Sequence, residues 1–164
     1  MHVRTLSPHE VTLHRELRLR ALHDAPDSFG ETFADVDAQP AAYWERLTRA
    51  VTEPADQVMF LACEGSDVIG VTYGLVDRER GDTGRVGGMW VDAAWRRRGV
   101  GRALLQEVVG WARSRGFTRL ALWAPAHSAA AAALYSRAGF RTTGARRPLP
   151  SDPAVSIVAM EADL

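Results

Sequence analysis

The chain has 164 residues, 46% hydrophobic and 24% charged, with twenty arginines, twenty acidic residues and no lysine. That length and composition read as one soluble globular domain over residues 1–164 with enough chain to bury a core, and the zero net charge argues against a general nucleic-acid or membrane-surface binder. No apolar run approaches the ~18 residues of a membrane span. The single Cys63 rules out an internal disulfide framework, and with no signal-peptide pattern at the start it fits a cytoplasmic location.

Residues 3–6 suggest a first strand. Residues 8–25 read as a helix, with Ser7 as N-cap, Pro8 in the first turn, Glu10 three residues after the cap, and Pro26 as terminator. Residues 40–51 form a second helix with Tyr43, Trp44 and Leu47 on one side, closed by Pro54. Residues 58–63 and 68–76 are strands joined by Glu64-Gly65-Ser66-Asp67, a turn composition. A further turn at 78–82 leads into a strand ending at Val91, and the three strands should form an antiparallel meander. Leu104, Leu105, Val108, Val109 and Ala112 lie on one face of a helix over 100–115, with Gly116 as its C-cap. Residues 120–123 return as a strand parallel to the previous one. A helix over 128–138 ends at Gly139, and strands over 140–144 and 155–160 close the sheet. Cys63 lies in an apolar stretch and reads as a buried, inert thiol.

The chemistry concentrates after Met89-Trp90-Val91. There a short apolar strand runs into Asp92-Ala93-Ala94-Trp95-Arg96-Arg97-Arg98-Gly99-Val100-Gly101-Arg102-Ala103, which opens the helix over 100–115. Free backbone N–H groups at a helix start converge on one point, and the helix dipole favours an anion there. A nucleotide P-loop needs Gly-Lys-Ser/Thr, and this chain has Gly101-Arg102-Ala103. A dinucleotide loop needs a third glycine where Leu104 stands. Eight arginines between Arg85 and Arg119 face only Asp92 and Glu107, so the local charge also suits an anion. A nucleic-acid protein using this patch is disfavoured by the neutral balance and by the lack of interleaved aromatic residues. The same loop is also readable as an ordinary strand-to-helix turn with solvated arginines.

Arg96-Arg97-Arg98-Gly99-Val100-Gly101 resembles the pyrophosphate loop of the GCN5-related N-acetyltransferases, whose pattern is Arg/Gln-x-x-Gly-x-Gly/Ala. Downstream, Ala131, Tyr135, Gly139 and Phe140 match the family's second signature, with Ser128 at its usual Asn position. The segment Ala25-Pro26-Asp27-Ser28-Phe29-Gly30 looks like the loop between the first two helices in one branch of the family. The resemblance implies an α+β fold with a central, mostly antiparallel mixed sheet of about seven strands and about four flanking helices. It implies an acetyltransferase that moves an acetyl group from acetyl-CoA to a primary amine in a ternary complex, without a metal. Homodimers are common in the family, though no single feature of this chain establishes one.

Residue by residue, the resemblance places the pyrophosphate on the backbone of Arg98, Gly99, Val100, Gly101, Arg102 and Ala103, with guanidinium contacts from Arg96, Arg97 or Arg102. Ser128 and Ala131 belong to the same cofactor site. The pantetheine arm would pair with the backbone near Met89, Trp90 and Val91, where an N–H would polarise the thioester carbonyl. Gly87-Gly88 fits a bulge or a close backbone approach at that strand. Tyr135 is the expected general acid for the departing thiolate. Many relatives carry a glutamate on the fourth strand, but residues 84–91 hold no carboxylate, and Leu122-Trp123-Ala124 occupies the alternative position on the fifth. The base candidates are therefore Glu31, Asp92, His127 or a water relay. The acceptor pocket should lie between residues 29–35 and a connection over 145–152 carrying Arg146-Arg147, and Glu31, Asp35 and nearby Asp37 could attract a cation there. A non-catalytic acyl-CoA-binding module, another acyl donor and a hydroxyl acceptor remain alternatives.

Overall fold

Residues 1–53 and 56–164 are described by a computed structural model, so the helix stop expected at Pro54 lies outside the described residues. Seven strands, β1 (His2–Thr5), β2 (Gln57–Glu64), β3 (Asp67–Val76), β4 (Thr83–Val91), β5 (Arg119–Pro125), β6 (Arg141–Leu149) and β7 (Asp152–Asp163), form one sheet in the order β1-β2-β3-β4-β5-β7-β6. Every neighbouring pair is antiparallel except β4 and β5, which are parallel across the connecting helix. The helices are α1 (Val11–Asp24), α2 (Phe33–Asp37), α3 (Ala41–Thr52), α4 (Val100–Ser114) and α5 (Ala129–Arg137). The α+β architecture is as expected, with α2 as the addition. Its five residues are capped by Thr32, whose hydroxyl accepts from Asp35 N–H at 3.1 Å.

Central strands carry apolar residues on both sides because helices cover both faces. Phe60 and Ala62 of β2 pack with Leu104, Leu105, Val108 and Ala112 of α4. Met59, Leu61 and Cys63 of the same strand join Leu17 and Leu22 of α1 and Trp44 and Val51 of α3. The buried, free Cys63 thus serves as a small apolar side chain.

Two boundaries differ from the sequence reading. α1 begins at Val11, not near Pro8. The Glu10 carboxylate accepts from Ser7 N–H at 2.8 Å, as a capping box requires, but Arg4 also holds it at 2.7 and 2.8 Å. Glu10 N–H in turn donates to Ser7 C=O, so the motif closes a turn ahead of the helix. The Arg4 partner keeps the Glu10 pKa below the ordinary carboxylate value. The second difference is at the sheet edge. β6 runs to Leu149 and β7 starts at Asp152, leaving a two-residue turn where a long connection was expected. Arg146 and Arg147 therefore stand on a strand. Residues 141–148 are all exposed, so no apolar alternation announced that the strand expected over 140–144 runs on to Leu149.

Candidate active site

The parallel pairing of β4 with β5 stops after three rungs, Thr83–Arg119, Gly84–Leu120 and Arg85–Ala121. β4 continues against β3 as far as Val91–Gly70, and β5 continues against β7 as far as Pro125–Ile157. Residues 86–91 and 122–125 thus form the two arms of a fork inside the sheet. The backbone groups lining such a gap have no strand partner, and buried ones need an acceptor or donor from elsewhere. An extended chain laid into the fork would supply them.

One arm of the fork is bulged. Val71 faces Trp90 and Tyr73 faces Gly87, so Thr72 stands opposite both Gly88 and Met89. Gly88 has φ +54°, and a Cβ built there would come 2.5 Å from the Tyr73 ring. Only glycine fits both constraints. The bulge resets the alternation, turning Met89 and Val91 toward α4 and Trp90 toward α1. Trp90 Nε1 donates to the Asp24 carboxylate at 2.9 Å.

Past Val91, the Asp92 carboxylate accepts from Ala94 N–H at 3.0 Å and starts a 3₁₀ turn over Ala93–Trp95. Arg97 follows at φ +60° and Gly99 at φ +86°. Gly99 is the N-cap of α4 and offers no side-chain acceptor, and the first helical bond joins Ala103 N–H to Gly99 C=O at 3.0 Å. The amides of the first turn are therefore left for something outside the chain. The neighbouring α5 behaves differently. Its N-cap Ser128 accepts from Ala131 N–H at 3.2 Å, so both residues serve the helix start.

The arginines of the loop have separate positions. Arg96 Nε donates to Val91 C=O at 3.0 Å, and its guanidinium also reaches Asp24. Arg98 lies over the Trp95 ring, 5.2 Å from its centroid. Arg97 and Arg102 are exposed at the open helix start. Gly101 packs closely against α5, since a Cβ there would lie 3.2 Å from Leu134.

Tyr135 is buried on the α4 side of the sheet, in the cluster that contains Leu122 and Ala124 of the β5 arm. Its ring meets Phe140 edge-on at 5.8 Å. Burial pushes its phenol pKa well above the ordinary value, so the hydroxyl keeps its proton across the neutral range.

On the other face, the base candidates already have partners. Glu31 pairs with Arg18 at 2.6 Å and Asp92 with Arg20 at 3.0 Å, while His127 Nε2 lies 2.9 Å from the Asp27 carboxylate. Asp37 pairs with Arg15 at 2.5 Å, and Asp35 accepts from the Thr32 hydroxyl at 2.7 Å. The acidic loop expected to attract a cation is thus largely neutralised by its own partners. It does meet the β6–β7 turn, because Ser151 Oγ donates to Phe29 C=O and Gly30 abuts Pro150.

Sequence reading missed a polar chain beneath the bulge. His14 is fully buried, with Nδ1 2.9 Å from Thr48 Oγ1 and Nε2 2.9 Å from the Tyr73 hydroxyl. Burial lowers the His14 pKa to about 4, assisted by the Arg18 charge, and burial raises Tyr73 to about 12. The available signal was spacing, since His14 precedes the buried Leu17 by one helical turn. Among the described residues, no group of three or more His, Cys, Asp or Glu side chains is arranged to hold a metal, and no helix is long and apolar enough to cross a membrane.

The sequence matches the Acetyltransferase (GNAT) family over residues 18–140. The chain belongs to the GNAT acetyltransferase family. It is 28% identical over 151 residues to the aminoglycoside N(6')-acetyltransferase type 1 of Stenotrophomonas maltophilia, covering 86% of each chain. The fold resembles a GNAT-family acetyltransferase from Streptococcus pneumoniae, with a TM-score of 0.80 at 20% identity over 99% of both chains. It also resembles yncA from Salmonella typhimurium, solved with its cofactor acetyl-CoA, with a TM-score of 0.75 at 21% identity over 100% of this chain and 94% of the other. This GNAT chain is accordingly an acetyltransferase.

Proposed function

We propose that the protein transfers the acetyl group of acetyl-CoA to a primary amine of a small molecule or protein, by direct attack in a ternary complex. The observation that carries this reading is the fork between β4 and β5 leading straight into the uncapped start of α4. The fork offers unpaired strand edges to an amide-bearing arm, and the helix start offers N–H groups to a pyrophosphate. Those match the pantetheine arm and the pyrophosphate of coenzyme A, in the order in which the chain presents them.

The amides from Arg98 to Ala103 hold the pyrophosphate, with Arg97 and Arg102 free to add guanidinium contacts. Arg96, tied to Asp24 and Val91, holds the loop against α1. Ser128 and Ala131, at the start of α5, border the same cofactor site. The backbone of Met89, Trp90 and Val91 pairs with the pantetheine arm, and an N–H there polarises the thioester carbonyl. The neutral amine attacks that carbonyl carbon, the C–S bond breaks, and the sulfur takes the proton of the Tyr135 hydroxyl. Tyr135 can give that proton because a phenol is protonated at neutral pH, and burial raises its pKa further. The amine sheds its proton to water or to one of Glu31, Asp92 and His127, each of which must first loosen its contact with Arg18, Arg20 or Asp27, and a proton returned from solvent restores the Tyr135 hydroxyl.

Calorimetric titration of acetyl-CoA and desulfo-CoA, followed by a thiol-release assay over an amine panel, tests the proposal. Saturable binding with amine-dependent release of CoA is the expected result. Gly99→Val should weaken binding by about tenfold or more, because a β-branched residue resists φ +86° and distorts the amide cluster. Unchanged affinity in that variant would refute the phosphate-loop assignment.

A further inference from the structure

We propose that the acceptor amine carries a carboxylate, which Arg85 and Arg147 bind across the Trp123 ring. The inference rests on the acetyl-transfer reading and names the substrate class of that site. An open trough of about 750 Å³ lies on the sheet face not covered by α4, lined in part by Leu75, Arg85, Trp123 and Arg147. It begins at the fork itself, because Arg85 and Ala121 form the last rung between β4 and β5 and both line it. Trp123 follows two residues on, along the free arm of β5 and on the same face. An amine positioned at Gly87-Gly88 to meet the thioester would extend its remaining atoms into this trough.

The charges of the trough are unequally satisfied. Asp77 and Glu161 are both held by Arg80, and Asp56 is held by Arg78. Around the fork, Asp24, Glu31 and Asp92 are held by Arg96, Arg18 and Arg20. Glu79, in the turn at the far end, is the one lining carboxylate without an ion pair among the described residues. Arg85 and Arg147 have no carboxylate within 4.0 Å among the described residues. Arg147 instead sits over Trp123, its Cζ 4.2 Å from the ring centroid. A guanidinium held over an aromatic face and paired with no carboxylate still has N–H donors to offer an incoming carboxylate. A polycationic acceptor would meet these two arginines and, apart from Glu79 at the far end, carboxylates already neutralised, so the trough discriminates against it.

The test is a titration of the protein saturated with desulfo-CoA. The probes are α- and ω-amino acids, each paired with its primary amide, and kanamycin as the polycation. The acids should bind about tenfold or more tightly than their amides. The double variant Arg85→Gln, Arg147→Gln, checked for an unchanged melting temperature, should erase that difference. Amides or kanamycin binding as tightly as the acids, no binding by any acid, or a preference surviving the double variant would each overturn the proposal. Acetyl-CoA turnover with the same amines is scored separately. Failure of every amine to release CoA would refute the transfer reading, while the acid–amide comparison would still report on the trough.

Discussion

The two faces of β4 are built on different principles. Toward α4, Val86, Met89 and Val91 enter a dry apolar core, and Tyr135 is the buried phenol beside it. Toward α1, the strand presents Gly87, Gly88 and Trp90 to a layer of hydrogen-bonded and ion-paired side chains: Tyr73, His14, Thr48, Asp24 and Arg18. The first face needs only volume. The second needs every donor and acceptor placed, because unpaired polar groups are costly once buried. A strand's alternation gives it two faces, and the bulge at Gly88-Met89 sets which residues beyond it fall on each.

The largest expected effect comes from removing that reset. Gly88→Val should cost about 3 kcal/mol or more of stability, combining backbone strain at φ +54° with collision against the Tyr73 ring. The urea midpoint at constant m-value measures it, and an unshifted midpoint would show that the bulge does not lock the faces together.

Acid should open the polar face next. His14 stays neutral in the fold down to a pKa of about 4, whereas an unfolded histidine titrates near 6.5. As pH falls from ~6.5 through about 4, the unfolded chain takes up a proton that the native site refuses. Stability should therefore fall by about 3 kcal/mol over that window. In His14→Gln this part of the pH dependence should vanish, and denaturation midpoints across the range will show it. Glu10 and Asp77, whose pKa values are lowered, act at more acidic pH, below the ordinary carboxylate values of 4.5 and 3.8.

The apolar face is probed by smaller changes. Tyr135→Phe should lower kcat by about 10- to 100-fold while leaving the acetyl-CoA dissociation constant nearly unchanged. Equal turnover would remove Tyr135 as the acid. Ser128→Ala removes the hydroxyl that accepts from Ala131 N–H, and should cost about 1 kcal/mol in thermal unfolding. A much larger loss would mean that α5 supports the sheet through more than its own cap.

The apolar face was also the legible one. Leu104, Leu105, Val108 and Ala112 repeat at helical spacing, and the glycine-containing loop before them announced a phosphate-type helix start. The polar face depends on partners far apart in sequence. Arg96 meets Asp24 across 72 residues, and His14 meets Tyr73 across 59. No local pattern encodes those distances. The same holds for the second half of β6, whose exposed residues 145–148 continue the expected strand through pairing with β7. The acidic residues of the 29–37 segment suggested a cation site because the α1 arginines that hold Glu31 and Asp37 could not be matched to them from composition.

The three rungs between β4 and β5 have a mechanical consequence. The strands before that seam and the strands after it are each extensively paired among themselves, so the sheet is two stiff panels joined along a short hinge line. Force applied in the fork acts on the seam with leverage, as a wedge does on the end of a split board. A bound arm that bridged both lips would brace the panels against each other. Amides of residues 119–121 would then exchange with solvent more slowly in the liganded protein, although no ligand atom touches them.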